Sequence, residues 1–395
     1  MNKQYTYKFR IYPNKEQLSF LNEQIGCSRF VYNFFLERSI NLYKNYGIKT
    51  NYYSNAVILP LLKKGFPFLK EANSQSLQAS LKNLDTAFQR FFTKISGYRN
   101  FKKKYSYNNS IVIPQNFEIV NNFIKIPKLK TAIKVKFHRK VYEEVKSISI
   151  SKTTSGKYYV NMLVEKFAFT PYICKKGVSM GVDLGLKDFA VITAGTGIND
   201  KESFKISNPK YFAKSQKRLI RLSRQLDRKA HKRNKQDNTV ASKNYIKFKN
   251  KISLLHEHTA NQRQDFLNKL SSRIVNDSQV IVLEDLNIKG MLKNKHLSKS
   301  ISDVSWSKFN DMLKYKSNWY GRQILKVNRF FPSSKTCSTF DCGYIYKDLK
   351  LSERSWICPK CGAIHDRDIN ASINLFLEGL LIIGQELPEL ARLTS

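Results

Sequence analysis

Val178-Ser179-Met180-Gly181-Val182-Asp183-Leu184-Gly185-Leu186, continued by Lys187-Asp188-Phe189-Ala190-Val191, decides how the chain is read. Met180, Val182 and Leu184 alternate with Gly181, Asp183 and Gly185, which is the period of a strand with one apolar face. Asp183 then stands between two glycines on the less crowded face, with room for something large. Nothing within the strand neutralises it. Its expected companion is a metal ion, or a substrate group held by further acids.

Two later stretches supply such acids. Gln279-Val280-Ile281-Val282-Leu283-Glu284-Asp285-Leu286 reads as a central strand buried on both faces, because consecutive apolar, mostly β-branched residues fill its middle. Glu284 lies at its C-terminal end, where open α/β sheets carry functional groups. Asp285 alternates to the other side, so one of the two can join Asp183, and strand geometry does not say which. In His365-Asp366-Arg367-Asp368-Ile369-Asn370-Ala371-Ser372-Ile373-Asn374 a helix opens, with Ile369, Ile373 and Phe376 inward and Ala371 and Ser372 small enough to approach a sheet closely. The helix dipole favours an acid in its first turn. Either Asp366 caps it and Asp368 is the ligand, or the reverse. Acids on a strand, a second strand and a helix start are what two-metal phosphodiester cleavage needs, with Mg²⁺ ions about 4 Å apart.

Lys+Arg total 69 against Asp+Glu 30, a formal charge of +39. Such a chain repels itself unless a polyanion binds it. The basic residues run the whole length and mix with Tyr and Phe, which suits nucleic acid better than a membrane surface. Met1-Asn2-Lys3-Gln4-Tyr5 opens no apolar core of the kind a signal peptide carries, and no run of about 18 apolar residues occurs. A cytoplasmic protein without membrane partners is expected. With 395 residues, 42% of them hydrophobic, the chain fills more than one core.

Six cysteines occur. Cys27 and Cys174 stand alone and read as packing residues. Cys337 and Cys342 are separated by four residues, Cys358 and Cys361 by two, and Gly343 and Gly362 follow the pairs. This spacing is that of a Cys₄ zinc ribbon in a reducing compartment. Lying directly before the third acid, a structural zinc would brace that helix.

Upstream, Tyr5 to Tyr12 alternates rings with polar groups and reads as an edge strand ended by Pro13-Asn14. Helical spacing follows from Lys15 to about Tyr46 (Leu18, Leu21, Ile25, Phe30, Tyr32, Phe35, Leu36), as one helix or a pair, and again from Asn73 through Phe92. Ser74, Gln75 and Gln78 open the second block; a helix start bearing Gln suits base edges, and Tyr52 and Tyr53 suit stacking or phosphate. The run Phe101-Lys102-Lys103-Lys104 adds basic contacts at Lys102 and Lys103. Short strands at 111–113, 123–126, 133–137, 147–150 and 158–164 fit a small antiparallel barrel, with Ser155-Gly156 as a hairpin turn and Tyr5 to Tyr12 completing it.

After a second strand at Phe189 to Thr193, a basic helical region carries Lys214, Arg221, Arg224, Arg228, Lys232, Arg233 and Lys235 with little acid to balance them. Nucleic-acid contact is expected at Arg221 and Arg228, and also at Arg367. A helix from about Asn244 to Ile274 includes His256-Glu257-His258. Residues two apart face opposite sides of a helix, so these are ordinary helix residues.

Together these stretches resemble the TnpB (OrfB) family of insertion-sequence proteins, compact relatives of the type V CRISPR effectors. The resemblance rests on Tyr7-Lys8-Phe9-Arg10-Ile11-Tyr12-Pro13, Gly26-Cys27-Ser28-Arg29-Phe30-Val31-Tyr32-Asn33, Ser74-Gln75-Ser76-Leu77-Gln78 and Gly181-Val182-Asp183-Leu184-Gly185. It continues in Val282-Leu283-Glu284-Asp285-Leu286, Phe331-Pro332-Ser333-Ser334-Lys335-Thr336-Cys337, and Cys358-Pro359-Lys360-Cys361-Gly362 running into His365-Asp366-Arg367-Asp368. It implies a RuvC-like nuclease domain of RNase H-like fold with an inserted zinc ribbon, preceded by a wedge barrel that contains a helical recognition lobe. The implied domains are the first wedge strand (1–12), the recognition lobe (13–105), the rest of the wedge (106–175), the nuclease (176–330 and 365–395) and the ribbon (331–364). By motif match Asp183, Glu284 and Asp368 would be catalytic and hold two Mg²⁺ or Mn²⁺ ions, while Cys337, Cys342, Cys358 and Cys361 would hold structural Zn²⁺. The implied partners are a guide RNA made from the element's own end and target DNA, double-stranded and as the displaced single strand, cut beside a short adjacent motif. Cys337 to Cys342 departs from the family's usual two intervening residues. The rival readings are a nuclease-inactive RNA-guided DNA-binding protein and a transposase.

Overall fold

In the computed structural model, residues 2–104, 109–167, 178–230, 242–350 and 352–391 are described. Cys174, Lys232, Arg233 and Lys235 lie outside them. Two units divide the chain, Met1–Phe167 and Ala168–Ser395.

In the first unit β1 (Asn2–Tyr12) leads into a single helix, α1 (Lys15–Tyr46), capped at Asn14 by a reciprocal pair of bonds with Gln17 and stopped by left-handed Gly47. Helices α2 (Tyr52–Gly65) and α3 (Ser74–Phe92) follow. Then come β2 (Asn109–Ile113), β3 (Glu118–Val120), β4 (Phe123–Lys125), β5 (Ile133–Lys136), β6 (Val145–Lys152) and β7 (Tyr158–Phe167). They form one sheet in the order β2-β6-β7-β1-β5-β4-β3, a half-barrel open between β2 and β3 and not a closed barrel.

β1 is no edge strand. It pairs with β7 from Asn2↔Phe167 to Ile11↔Tyr158 and with β5 through Arg10↔Lys136. Its polar alternation marks a sheet with one solvated face; there Lys8 and Arg10 lie over the ring of Tyr159, at 4.4 and 5.2 Å. Phe9 and Ile11 point the other way, into the core with Leu21 and Ile25 of α1. Farther along, α1 turns Val31, Phe35 and Leu36 into a second core with Cys27, Leu77 and Leu81.

The second unit begins with an antiparallel meander, β8 (Ser179–Leu184), β9 (Asp188–Gly195) and β10 (Lys201–Ser207). Helices α4 (Tyr211–Ala230) and α5 (Lys243–Asp277) lead to β11 (Val280–Glu284). Helices α6 (Ile288–Met291), α7 (Ser298–Val304) and α8 (Trp306–Tyr320) precede β12 (Gln323–Val327). The hairpin β13 (Ser355–Ile357) and β14 (Ile364–Asp366) precedes α9 (Arg367–Ala391). The sheet order is β10-β9-β8-β11-β12, with β8, β11 and β12 parallel. On α5 the buried apolar positions lie in its C-terminal half. Leu267, Leu270 and Ile274 are buried, whereas Ile246 and Ala260 are exposed.

One face of this sheet packs Val182, Phe189 and Leu283 against α5 and α8, where Phe189 meets Phe266 and Phe309 edge-on at 5.0 and 5.1 Å. The opposite face, which carries Gly181 and Asp183, is covered. A Cβ on Gly181 would land on the backbone nitrogen of Phe376 and 2.5 Å from the carbonyl oxygen of Ser372. The missing side chain makes room for α9 and not for a ligand; Asp183 lies just past the start of that helix. Among the described residues no helix is long and apolar enough to cross a membrane.

Gly181→Ala should therefore lower the stability of the second unit by about 1–3 kcal/mol. Urea unfolding checks this against Gly197→Ala, a change that meets nothing within 4 Å and should be neutral.

Candidate active site and metal centre

Strand register sets two of the three acids. Val282 pairs with Gly181 and Leu283 with Val182, so Glu284 ends β11 beside Asp183, on the α9 side of the sheet. Asp368 lies in the first turn of α9. The Asp183 carboxyl is pushed up to about 7, first by burial, then by the charges of Glu284 and Asp368, with Arg367 opposing. Burial also raises Glu284.

The neighbouring acids are committed elsewhere. Asp285 points away and is bound by Lys326 at 3.0 Å and Arg329 at 2.8 Å, whose hydrogen bonds hold its carboxyl below the usual range. Asp366 is the helix cap. Its Oδ1 accepts from the amides of Asp368 and Ile369, and Lys205 of β10 pairs with it at 2.6 Å. Burial works to raise its carboxyl, but these donors prevail and lower it. Asp368 keeps 23% of its side chain exposed and meets Arg354 at a loose 3.4 Å.

The cysteines converge. All four sulfurs lie within 4.8 Å of one another, with Cys337 to Cys361 and Cys342 to Cys358 both at 3.6 Å. Four thiols at this spacing match the donor set of tetrahedral zinc. The wider first knuckle is taken up by a turn in which the Cys342 amide donates to Thr339 O and Asp341 is left-handed at φ 55°. Gly343 and Gly362 follow the two pairs, also left-handed. Among the described residues, these four cysteines form a group of metal-type donors whose ligand atoms all lie within 4.8 Å.

Sequence reasoning missed two residues that join ribbon and helix. Asn370 and Asn374, 1% and 5% exposed, are four apart on the buried face of α9. Both donate to Thr336 O, at 2.7 and 2.6 Å, and Asn374 also reaches Ser333 O. Asn370 Oδ1 accepts the amide of Ser338. They clasp the loop that carries Cys337. The available signal was a polar pair at helical spacing within an otherwise apolar stripe.

The expected nucleic-acid contacts are dispersed. Tyr53 is 76% exposed and stacks edge-on with Tyr52, over which Lys82 lies. Ser74, bonded to Lys63, and Gln78 are exposed at the start of α3, with Gln75 partly buried between them. Lys103 is exposed, whereas Lys102 sits 4.0 Å over the ring of Tyr32, and burial lowers its pKa. Arg221 and Arg228 are exposed on α4. Arg221 lines a groove of about 610 Å³ between α4 and α5, beside Phe248 and His258. Arg367 donates to Lys350 O.

Three family models match parts of the chain. They are described as "Probable transposase" over residues 165–295, "Cas12f1-like, TNB domain" over 306–375 and "Helix-turn-helix domain" over 1–48. In the structure residues 2–48 hold a strand and one uninterrupted helix. A solved Cas12f1–sgRNA–target DNA complex shares the fold, with a TM-score of 0.51 at 14% identity over 95% of this chain and 98% of that one. This places the chain in the Cas12f-like class of folds. A "Putative RNA-guided DNA endonuclease" of Streptomyces pristinaespiralis is 34% identical over 379 residues, 95% of this chain and 89% of the relative. The "Putative RNA-guided DNA endonuclease InsQ" of Escherichia coli (strain K12) is 30% identical, covering 97% and 94%. The chain belongs to the TnpB (OrfB) family.

Two outcomes follow from this geometry. Asp183 has a raised folded pKa, so its ionised form opposes folding above about pH 7, and the cost disappears as pH falls toward 4. In metal-free protein, Asp183→Asn should raise the melting temperature by several degrees at pH 8 and progressively less between pH 7 and 4, in melts run with a chelator. Asn370→Ala removes donors from buried carbonyls and should cost about 1–3 kcal/mol, measured by chemical unfolding.

Proposed function

We propose that the chain is an RNA-guided, divalent-metal-dependent DNA endonuclease of a transposable element, working in the cytoplasm. One observation carries the reading. Asp183, Glu284 and Asp368 come from two strands and a helix start far apart in sequence, yet they bear on one another at one end of a sheet in a chain of charge +39. The names of the two relatives agree with it, as does the RNA and DNA bound in the Cas12f1 complex.

The sheet order, an antiparallel meander continued by two parallel strands, supports a RuvC-like domain of RNase H-like fold at 176–330 and 365–395. The ribbon at 331–364 interrupts it. In the first unit, 1–12 and 106–175 would form the wedge and 13–105 the recognition lobe.

Asp183, Glu284 and Asp368 would hold two Mg²⁺ or Mn²⁺ ions; three hard carboxylate donors fit such ions. When bound, these ions supply positive charge to the attacking and leaving oxygens of a phosphodiester. The protein holds the acids together against their mutual repulsion, and the Asp366 cap fixes the turn that carries Asp368. Cys337, Cys342, Cys358 and Cys361 would hold structural Zn²⁺. The exposed basic residues, Arg221, Arg228 and Lys103 among them, carry a guide RNA from the element's own end, its DNA target and the displaced strand. Tyr53, Ser74 and Gln78 are the proposed readers of the adjacent motif.

The test uses the full chain purified with RNA expressed from its flanking DNA. With Mg²⁺ it should cut a guide-matched plasmid, and Asp183→Ala, Glu284→Gln and Asp368→Ala should each slow cutting by about 10²–10³-fold while retaining the RNA. Undiminished cutting by Asp183→Ala refutes the assignment. A wild-type complex that holds matched DNA and never cuts it identifies an inactive binder, and joined transposon ends identify a transposase.

A further inference from the structure

His365 stands where ribbon, hairpin and helix meet. It lies opposite Trp356 in the β13/β14 ladder, with ring centroids 4.8 Å apart, and Trp356 is buried against Cys337 and Cys358. This packing fixes the imidazole plane. Its Nε2 then lies 3.0 Å from Sγ of Cys337, which belongs to the other knuckle. The four sulfurs cluster within 4.8 Å of one another, and the His365 nitrogen is not part of that cluster. It touches one ligand from outside the centre.

We propose that His365, in the tautomer protonated at Nε2, donates a hydrogen bond to the Cys337 thiolate of the zinc-loaded ribbon and is a positioning residue for the start of α9. The inference rests on the reading of the four cysteines as a zinc site. A zinc-bound thiolate accepts hydrogen bonds and has none to give, so the nitrogen facing it must carry the proton. Four thiolates on one Zn²⁺ leave a net charge of −2, and N–H donors around the sulfurs spread that charge and hold the ligands in place.

The consequence reaches the acids through the chain. Asp366, next in sequence, accepts the amides of Asp368 and Ile369, so the residue that touches the ribbon sulfur directly precedes the cap of the helix bearing Asp368. Asn370 and Asn374 hold the same Cys337 loop from farther along the helix. His365 ties it from β14, just ahead of the first turn, where helix ends fray.

The experiment uses the full-length protein with its RNA, loaded with Zn²⁺ or with Co²⁺ as a spectroscopic probe. In His365→Gln the side-chain amide nitrogen reaches the place of Nε2. In His365→Asn it reaches only that of Nδ1, and His365→Phe keeps the stacking on Trp356 without a donor. Zinc release to a chelator should quicken about tenfold in the Asn and Phe variants and stay near wild type in Gln. The thiolate-to-cobalt charge-transfer band should shift in the same two and return in Gln, and amide exchange at Asp368 and Ile369 should follow the same order. If all three variants match the wild type in release and spectrum while each holds one zinc, the hydrogen bond is refuted and the zinc site stands. A wild-type cobalt spectrum of three sulfurs and one nitrogen makes His365 a ligand and also overturns it. Protein without zinc removes both readings.

Discussion

Helix α9 lies on strand β8 at backbone distance, and the placement of the acids depends on that contact. Gly181 leaves space that Phe376 and Ser372 occupy. Gly379 does the same beside Val282 of β11, and the hydroxyl of Ser372 meets that of Thr193 on β9 at 2.7 Å. A helix held so closely over three strands has little freedom to slide, because packed interiors resist even small changes of volume. Its first turn therefore falls at the strand ends that carry Asp183 and Glu284. The cost of burying Asp183 and then the repulsion of its neighbours, both of which raise its carboxyl, are opposed by burial of Leu375 and Phe376 against the sheet.

In a chain with 69 basic residues an unpaired acid is the exception that needs explaining. Asp285 and Asp366 have short partners, and Asp303 receives the amides of Phe212 and Ala213 at the start of α4 while facing Arg263. Exposed pairs of this kind add little stability one by one. Their effect is to separate structural acids from those left to bind something else. Asp183 and Glu284 are set apart because burial governs both carboxyls, with the neighbouring acids adding to it at Asp183.

Much of this was legible in the sequence, and the gaps have physical causes. Period-2 alternation placed β8, and the apolar run placed β11. Neither could choose Glu284 over Asp285, because the choice depends on which face α9 covers, a contact made by residues about 90 positions downstream. The same limit hid β10 and β12, whose mixed compositions become strands through pairing with β9 and β11. Polar alternation along β1 fits an edge strand and a paired strand with one solvated face equally well; pairing with both β5 and β7 makes it the second. Asn370 and Asn374 looked like ordinary polar helix residues, since the carbonyls they satisfy belong to an irregular loop with no periodic signature.

The ribbon's place in the chain follows from what a helix start needs. An acid in a first turn gains from the dipole, yet that turn has the fewest intrahelical bonds to hold it. Here the cap at Asp366 is itself held by Lys205 from the far edge of the sheet, and the asparagine pair ties the next turns to the Cys337 loop. That loop is in turn closed by four thiols brought within 4.8 Å across 24 residues of sequence. A metal held by all four would restrict the loop far more than local hydrogen bonds can. The four residues between Cys337 and Cys342 do not weaken this. Extra length in a surface turn changes closure entropy little, and left-handed Asp341 returns the chain to the second sulfur. Ribbon and acid helix are therefore one mechanical element, and loosening the thiol centre should be felt first at the amides of Asp368 and Ile369.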